Sequence, residues 1–137
     1  MNKSELEDRL ISFSVLIIEL VNEMPNSKAG NHLSGQIVRS GTSVSLNYGE
    51  AQSAESKKDF IHKIKVVLKE LRETYICLKI IYRTKLYQSE EKMQAALKEN
   101  IFPIICIGET LQEKESMKKK KKCVEQLNKG LIGLSVQ

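Results

Sequence analysis

The stretch that decides the fold is Ser56–Arg83, SKKDFIHKIKVVLKELRETYICLKIIYR. Phe60, Ile64, Val67, Leu71, Thr74, Leu78 and Ile81 follow a heptad rhythm, and Ile61, Leu68, Tyr75 and Tyr82 form a second stripe beside them. That pattern predicts a long amphipathic helix, helix 3, over about residues 56–83. Upstream, Leu33, Ile37, Val44 and Tyr48 recur at helical intervals among Ser34, Gly35, Ser40, Gly41, Thr42, Ser43 and Ser45. Propensity alone would make residues 40–45 a loop. The continuing apolar spacing predicts a helix over 30–54 instead, with small residues on one face that let a neighbouring helix come close. Further upstream, Leu6, Leu10, Phe13, Ile17, Leu20 and Met24 step by four and three residues, with Ser4 and Glu7 as a capping box and Pro25-Asn26-Ser27 as a stop. Helix 1 is expected over 4–24, with Ile11, Ile18 and Val21 widening its buried stripe.

Downstream the pattern breaks. A fourth helix is expected to begin at Ser89, with Glu90 and Glu91 in its first turn and Met93, Ala96 and Leu97 facing inward. Then Ile101-Phe102-Pro103-Ile104-Ile105-Cys106-Ile107-Gly108 runs apolar and β-branched, and a proline inside a helix costs about 3 kcal/mol. The run reads as a buried strand, followed by a further helix over 109–128 that the five like charges of Lys118–Lys122 weaken. Helices of this length joined by short loops suit an all-α, antiparallel up-and-down four-helix bundle with an atypical helix 4 and tail. The chain accordingly divides into a core over 1–88 and an atypical segment over 89–137.

At 137 residues the chain has room for one ordinary domain, and its 41% hydrophobic content is enough to build a core. No stretch approaches the roughly 18 consecutive apolar residues of a membrane span, and the acidic N-terminus does not resemble a signal peptide. A cytoplasmic protein with no membrane association is expected. Cys77, Cys106 and Cys123 fit neither a disulfide framework nor a CxxC motif.

The 22 basic and 17 acidic side chains give a net charge of +5, unevenly spread. Residues 1–56 hold 4 basic and 7 acidic groups, 57–85 hold 9 and 3, and 86–137 hold 9 and 7. Helix 3 is the basic element. Lys57, Lys58, Lys63, Lys65, Lys69, Arg72, Lys79 and Arg83 either form a phosphate-facing stripe or are the solvated face of an amphipathic helix, with Lys69 and Glu73 as an i,i+4 pair. Lys118–Lys122 has the same two readings, the solvated one being favoured. Arg39, Asn47 and Glu50 on helix 2 either line a polar pocket or are hydrogen-bonded partners that fix helix register. His32 and His62 lack neighbours at metal-ligand spacing, and no nucleophile elbow or phosphate loop occurs, so no metal, no cofactor and no catalytic residue is expected. Tyr48, Tyr75 and Tyr82 suit core or subunit-interface packing better than base stacking.

Two resemblances follow from motifs. Met24-Pro25, the run Gln36-Ile37-Val38-Arg39-Ser40-Gly41-Thr42-Ser43-Val44, Asn47 with Glu50-Ala51, Ser56-Lys57-Lys58-Asp59-Phe60 and Leu68-Lys69-Glu70-Leu71-Arg72-Glu73-Thr74 resemble the small bundle proteins encoded in intervening sequences of bacterial 23S rRNA genes, over about residues 6–86. The resemblance implies an antiparallel four-helix bundle, often a ring-shaped homopentamer. Through a relative, the accessory variability protein of diversity-generating retroelements, it suggests nucleic-acid and reverse-transcriptase binding. Ala95-Ala96-Leu97-Lys98-Glu99-Asn100, Pro103 to Glu115 and Cys123 to Leu127 resemble a fragment of triosephosphate isomerase over about 93–131. In that enzyme the fragment is one barrel strand with the helices on either side, Cys106 and Glu109 match supporting positions, and the catalytic Lys, His and Glu lie in segments this chain lacks. The expectation is a non-enzymatic bacterial protein that binds RNA or DNA through helix 3 as a homo-oligomer. The alternatives are a structural oligomer without a nucleic-acid partner and a chimeric or read-through product without activity.

Overall fold

The computed structural model describes residues 1–134, with side chains through 126 and at 129. Four helices follow one another: α1 (Lys3–Asn22), α2 (Lys28–Gln52), α3 (Lys57–Thr84) and α4 (Glu90–Leu134). Loops of four or five residues join them, too short for anything but antiparallel neighbours. The chain forms two compact units, Met1–Ile107 and the segment from Gly108 onward, which divide within α4. The bundle lies in the first unit. The sequence boundary at 88/89 marks where one resemblance gives way to another, a different criterion from compactness.

Local chemistry sets each helix start. Asn2 caps α1: its side chain accepts from the Glu5 N–H at 2.8 Å while Glu5 accepts from the Asn2 N–H at 2.9 Å. This capping box begins two residues earlier than the Ser4/Glu7 pair expected from sequence. Ser27 and Ser56 cap α2 and α3 by accepting from Gly30 and Asp59, each at 3.0 Å. α3 ends at Lys85 in the left-handed region (φ 55°), where its N–H returns to the Ile81 and Tyr82 carbonyls.

The serine-rich stretch of α2 is helical, as the spacing predicted, and its neighbours supply the reason. A side chain at Gly41 would place Cβ 2.8 Å from Ile17 Cγ2, so only glycine allows α1 this close. Ser14 of α1 donates to the Gly41 carbonyl at 2.9 Å or to its own Leu10 carbonyl, and lies 2.7 Å from Ser45 Oγ. On the other flank Thr74 of α3 is 2.8 Å from Ser40 Oγ. Buried hydroxyls thus bond across both interfaces, and the residues propensity assigns to a loop become the close-packed seam of the bundle.

The core is made by Leu10, Phe13 and Ile17 of α1, Ile37 and Val44 of α2, Val67, Leu71, Leu78 and Ile81 of α3, and Met93 and Ala96 of α4, all at most 2% exposed. Each large side chain so buried contributes about 1.5–3 kcal/mol of transfer free energy. The expected widening of the α1 stripe is corrected at Ile11 and Ile18, while Val21 is half-buried. Ile11 and Ile18 are 48% and 42% exposed, and with Val15 at 48% they form an outward apolar row. The packed side of α1 covers only the arc that carries Leu10, Phe13 and Ile17.

The strand expected over 101–108 is also corrected, because these residues are part of α4. A lone strand would leave a row of backbone N–H and C=O groups without partners, and no strand occurs among the described residues. A helix satisfies them internally and sorts the continuous apolar run by its own period. Ala96, Asn100, Pro103 and Ile107 are buried while Ile101 and Ile105 face outward. The predicted break before a separate helix at 109 is likewise absent, since α4 runs unbroken to Leu134. Two costs remain. Pro103 removes one backbone hydrogen bond from the helix interior, and Asn100 is 0% exposed with neither amide atom hydrogen-bonded.

Candidate nucleic-acid interface

The basic residues of α3 do not act as one set. Lys58, Lys65, Lys69, Arg72, Lys79 and Arg83 are separated by 7, 4, 3, 7 and 4 residues, spacings that hold them on one side of a helix. Lys58, Lys65, Lys69, Arg72 and Arg83 are exposed there. At 1.5 Å per residue the row is about 37 Å long. Lys79 is half-buried, with its ammonium 5.4 Å from the Tyr75 ring centroid, where the ring face and the cation attract. Lys57 is exposed in the first turn of α3, off the line of the row. Lys63 departs furthest: it turns to α2 and pairs with Glu50 at 3.2 Å. The row is interrupted by Ile76 and flanked by Ile80, 58% and 44% exposed.

The polar residues of α2 separate similarly. Arg39 reaches α3, donating to Glu73 and, at 3.4 Å, to Glu70, whose carboxylate is largely buried. The hydrogen bond to Glu73 and the nearby Glu70 charge raise the Arg39 pKa, and the same bond to Arg39 holds Glu73 below the usual carboxylate value. Glu50 pairs with Lys63, whereas Asn47 donates to the Ser43 carbonyl of its own helix at 2.8 Å. In the α2–α3 pairs the partner's number falls as the first rises, from Arg39 with Glu73 to Glu50 with Lys63. Both therefore belong to one antiparallel register. Arg39 and Glu50 link helices, whereas the hydrogen bond of Asn47 stays within α2.

Two nodes in the first unit had no counterpart in the sequence reading. Glu23 accepts from Tyr87 at 2.6 Å and from Lys92 at 2.9 Å, tying the end of α1 to the start of α4. Those bonds, Tyr87 first, lower the Glu23 pKa. Nearer the opposite end of α1, Arg9 pairs with Glu99 at 3.1 Å and lies 3.6 Å from the centroid of the Phe102 ring. Single residues in a sequence carry no signal for such pairs until helix order and register are known.

Tyr48 is buried, whereas Tyr75 and Tyr82 are half-buried and Tyr82 donates to Glu90 at 3.0 Å. Burial raises the Tyr48 pKa and also that of the Cys77 thiol. His32 and His62 are exposed. Among the described residues no group of three or more His, Cys, Asp or Glu side chains is placed to hold a metal ion, and no helix is long and apolar enough to cross a membrane.

Comparison with known proteins finds both families that the motifs resemble. Residues 3–102 match the family of the 23S rRNA-intervening sequence protein, and residues 78–137 match triosephosphate isomerase, the two overlapping from the end of α3 into the first part of α4. Among solved structures, a protein of unknown function from the S23 ribosomal protein family of Bacteroides thetaiotaomicron is similar. It is 31% identical, with a TM-score of 0.71, and the match covers 77% of this chain and 96% of that one. The isomerase match takes in one segment and leaves α1, α2 and most of α3 outside it. With a family match over most of its length and a similar solved structure at 31% identity, the chain belongs to the 23S rRNA-intervening sequence protein family.

Proposed function

We propose that this is a non-enzymatic protein that binds RNA or DNA through the outward face of α3. One observation carries the reading: Lys58, Lys65, Lys69, Arg72 and Arg83 stand exposed in a single row along α3. Such a row lowers the energy of a polyanion laid along it and releases the counterions condensed there. Lys63 is left out because Glu50 already compensates it. The proposed setting is cytoplasmic, where nucleic acid is within reach.

The test is binding of a single-stranded RNA and of a duplex DNA across a salt series, with the parent protein and with K58E/K65E/K69E/R72E. Affinity should fall steeply with salt, and the variant should lose affinity and flatten the slope by about 0.7–0.9 for each phosphate contact removed. No binding by the parent at low salt would favour a structural oligomer or an inactive chimera.

A second reading has its own observation. The outward row Ile11, Val15 and Ile18 on α1 suits contact with another copy of the chain. We therefore propose a homo-oligomer, with the ring of five implied by the resemblance as its expected form. Native mass measurement decides between that ring, another assembly and a monomer.

A further inference from the structure

The α3 face leaves the strongest local charge in the chain unused. Lys118–Lys122 lies in the second compact unit, as helix, with all five residues exposed. Five consecutive helical residues turn through more than a full circle within about 7 Å of axis, so cations point to every side of the helix. Lys118 with Lys121 and Lys122, and Lys119 with Lys122, stand three or four residues apart, spacings at which like charges repel. Glu115 and Glu125 flank the run, four residues from Lys119 and Lys121, and offset part of that repulsion. Two carboxylates cannot offset five ammonium groups.

We infer that Lys118–Lys122 is a second polyanion site, one that takes the phosphate backbone of nucleic acid without regard to sequence. A phosphate chain supplies the missing countercharge, and binding there is expected to strengthen the helix that the lysines weaken. A lipid surface fits less well. Between Gln112 and Gln126 the apolar residues are only Met117, Cys123 and Val124, and an interfacial helix needs a continuous apolar face to insert. About three of the five lysines, those at 118, 121 and 122, share a side and reach one strand together. The site is independent of the α3 reading, since it lies in the other unit and survives if that reading fails.

The experiment uses the full chain, an unstructured 20-nucleotide RNA, and vesicles of phosphatidylcholine with phosphatidylserine. Four proteins are compared: the parent, the variant with all five lysines changed to Gln, the α3 variant K58E/K65E/K69E/R72E, and the two sets combined. Gln keeps helix propensity and volume, and the change should raise helicity in the absence of RNA. The site predicts that the five-Gln variant loses tenfold or more in RNA affinity at low salt. Its log–log salt slope should be shallower by about two, as three single-strand phosphate contacts at roughly 0.7 each require. The α3 variant should retain salt-sensitive binding that the combined variant loses, and RNA should raise the far-ultraviolet helical signal of the parent but not of the five-Gln variant. Unchanged RNA affinity in the five-Gln variant overturns the inference. So does capture by the vesicles as strong as by RNA.

Discussion

Residues 40–45 of α2 and 100–107 of α4 both form helix against local preference, and they do so at different cost. In α2 three of the departures from good helix chemistry have an answer on a neighbouring helix, since Gly41 admits Ile17, Ser45 meets Ser14 and Ser40 meets Thr74, while Thr42 and Ser43 donate to the Val38 and Arg39 carbonyls of their own helix. In α4 Ile107 finds cover while Ile101 and Ile105 face outward, Pro103 gives up a backbone bond, and the Asn100 amide is buried with no partner. Tertiary contact overrides propensity in both, and it is in α4 that the override leaves a buried polar side chain without a partner. The first segment is shaped to its place. The second carries features suited to a different structure, in keeping with the isomerase match that begins at residue 78.

The difference can be broken or sharpened by substitution. The largest effect is expected at the seam: Gly41→Val drives a branched side chain into Ile17 and should cost about 3 kcal/mol, read as a lower midpoint in urea unfolding. An unchanged midpoint would mean that α1 and α2 are not in close contact. In the opposite direction, Asn100→Leu should stabilise by about 2 kcal/mol, because it removes an unpaired buried amide from an apolar site. Loss of stability there would reveal a partner for Asn100. Ser14→Ala should cost about 1 kcal/mol, since it deletes a hydroxyl that bonds between helices yet leaves Ser45 another acceptor at the Thr42 carbonyl.

The smallest expected effect is on acid stability. Glu23 and Glu73 have lowered pKa values in the folded chain, so their contributions are present above the unfolded carboxylate value and are lost as pH falls through the folded ones. Glu23→Gln should shift the acid unfolding midpoint less far than the combined Glu23→Gln and Glu73→Gln change. If neither variant moves it, these surface pairs contribute nothing to acid stability.

How much was legible follows from the same contrast. α3 could be read from its period because its buried positions recur without interruption, and α2 because Ile37, Val44 and Tyr48 keep time through the serines. A continuous apolar run has no period of its own, so residues 101–107 fit a strand and a buried helix equally well, and β-branching tipped the reading the wrong way. Only a neighbouring helix, supplying cover on one side, distinguishes Ile107 from Ile105. The basic row on α3 was visible as charge, and the spacing of Lys63 from Lys58 and Lys65 already sets it off the row. Its pairing with Glu50, like that of Arg39 with Glu70 and Glu73, depends on the α2–α3 register, which no short window of sequence contains.

The central structural claim is that residues 101–107 complete the bundle as helix and leave the basic row of α3 facing outward. Backbone chemical shifts of the isotope-labelled chain test it directly. The account predicts helical Cα and Cβ shifts from Glu90 through Ile107, with slow amide exchange at Ile107. Extended-chain shifts over Ile101–Ile107 would contradict it, and would return the segment to the strand that its composition suggests.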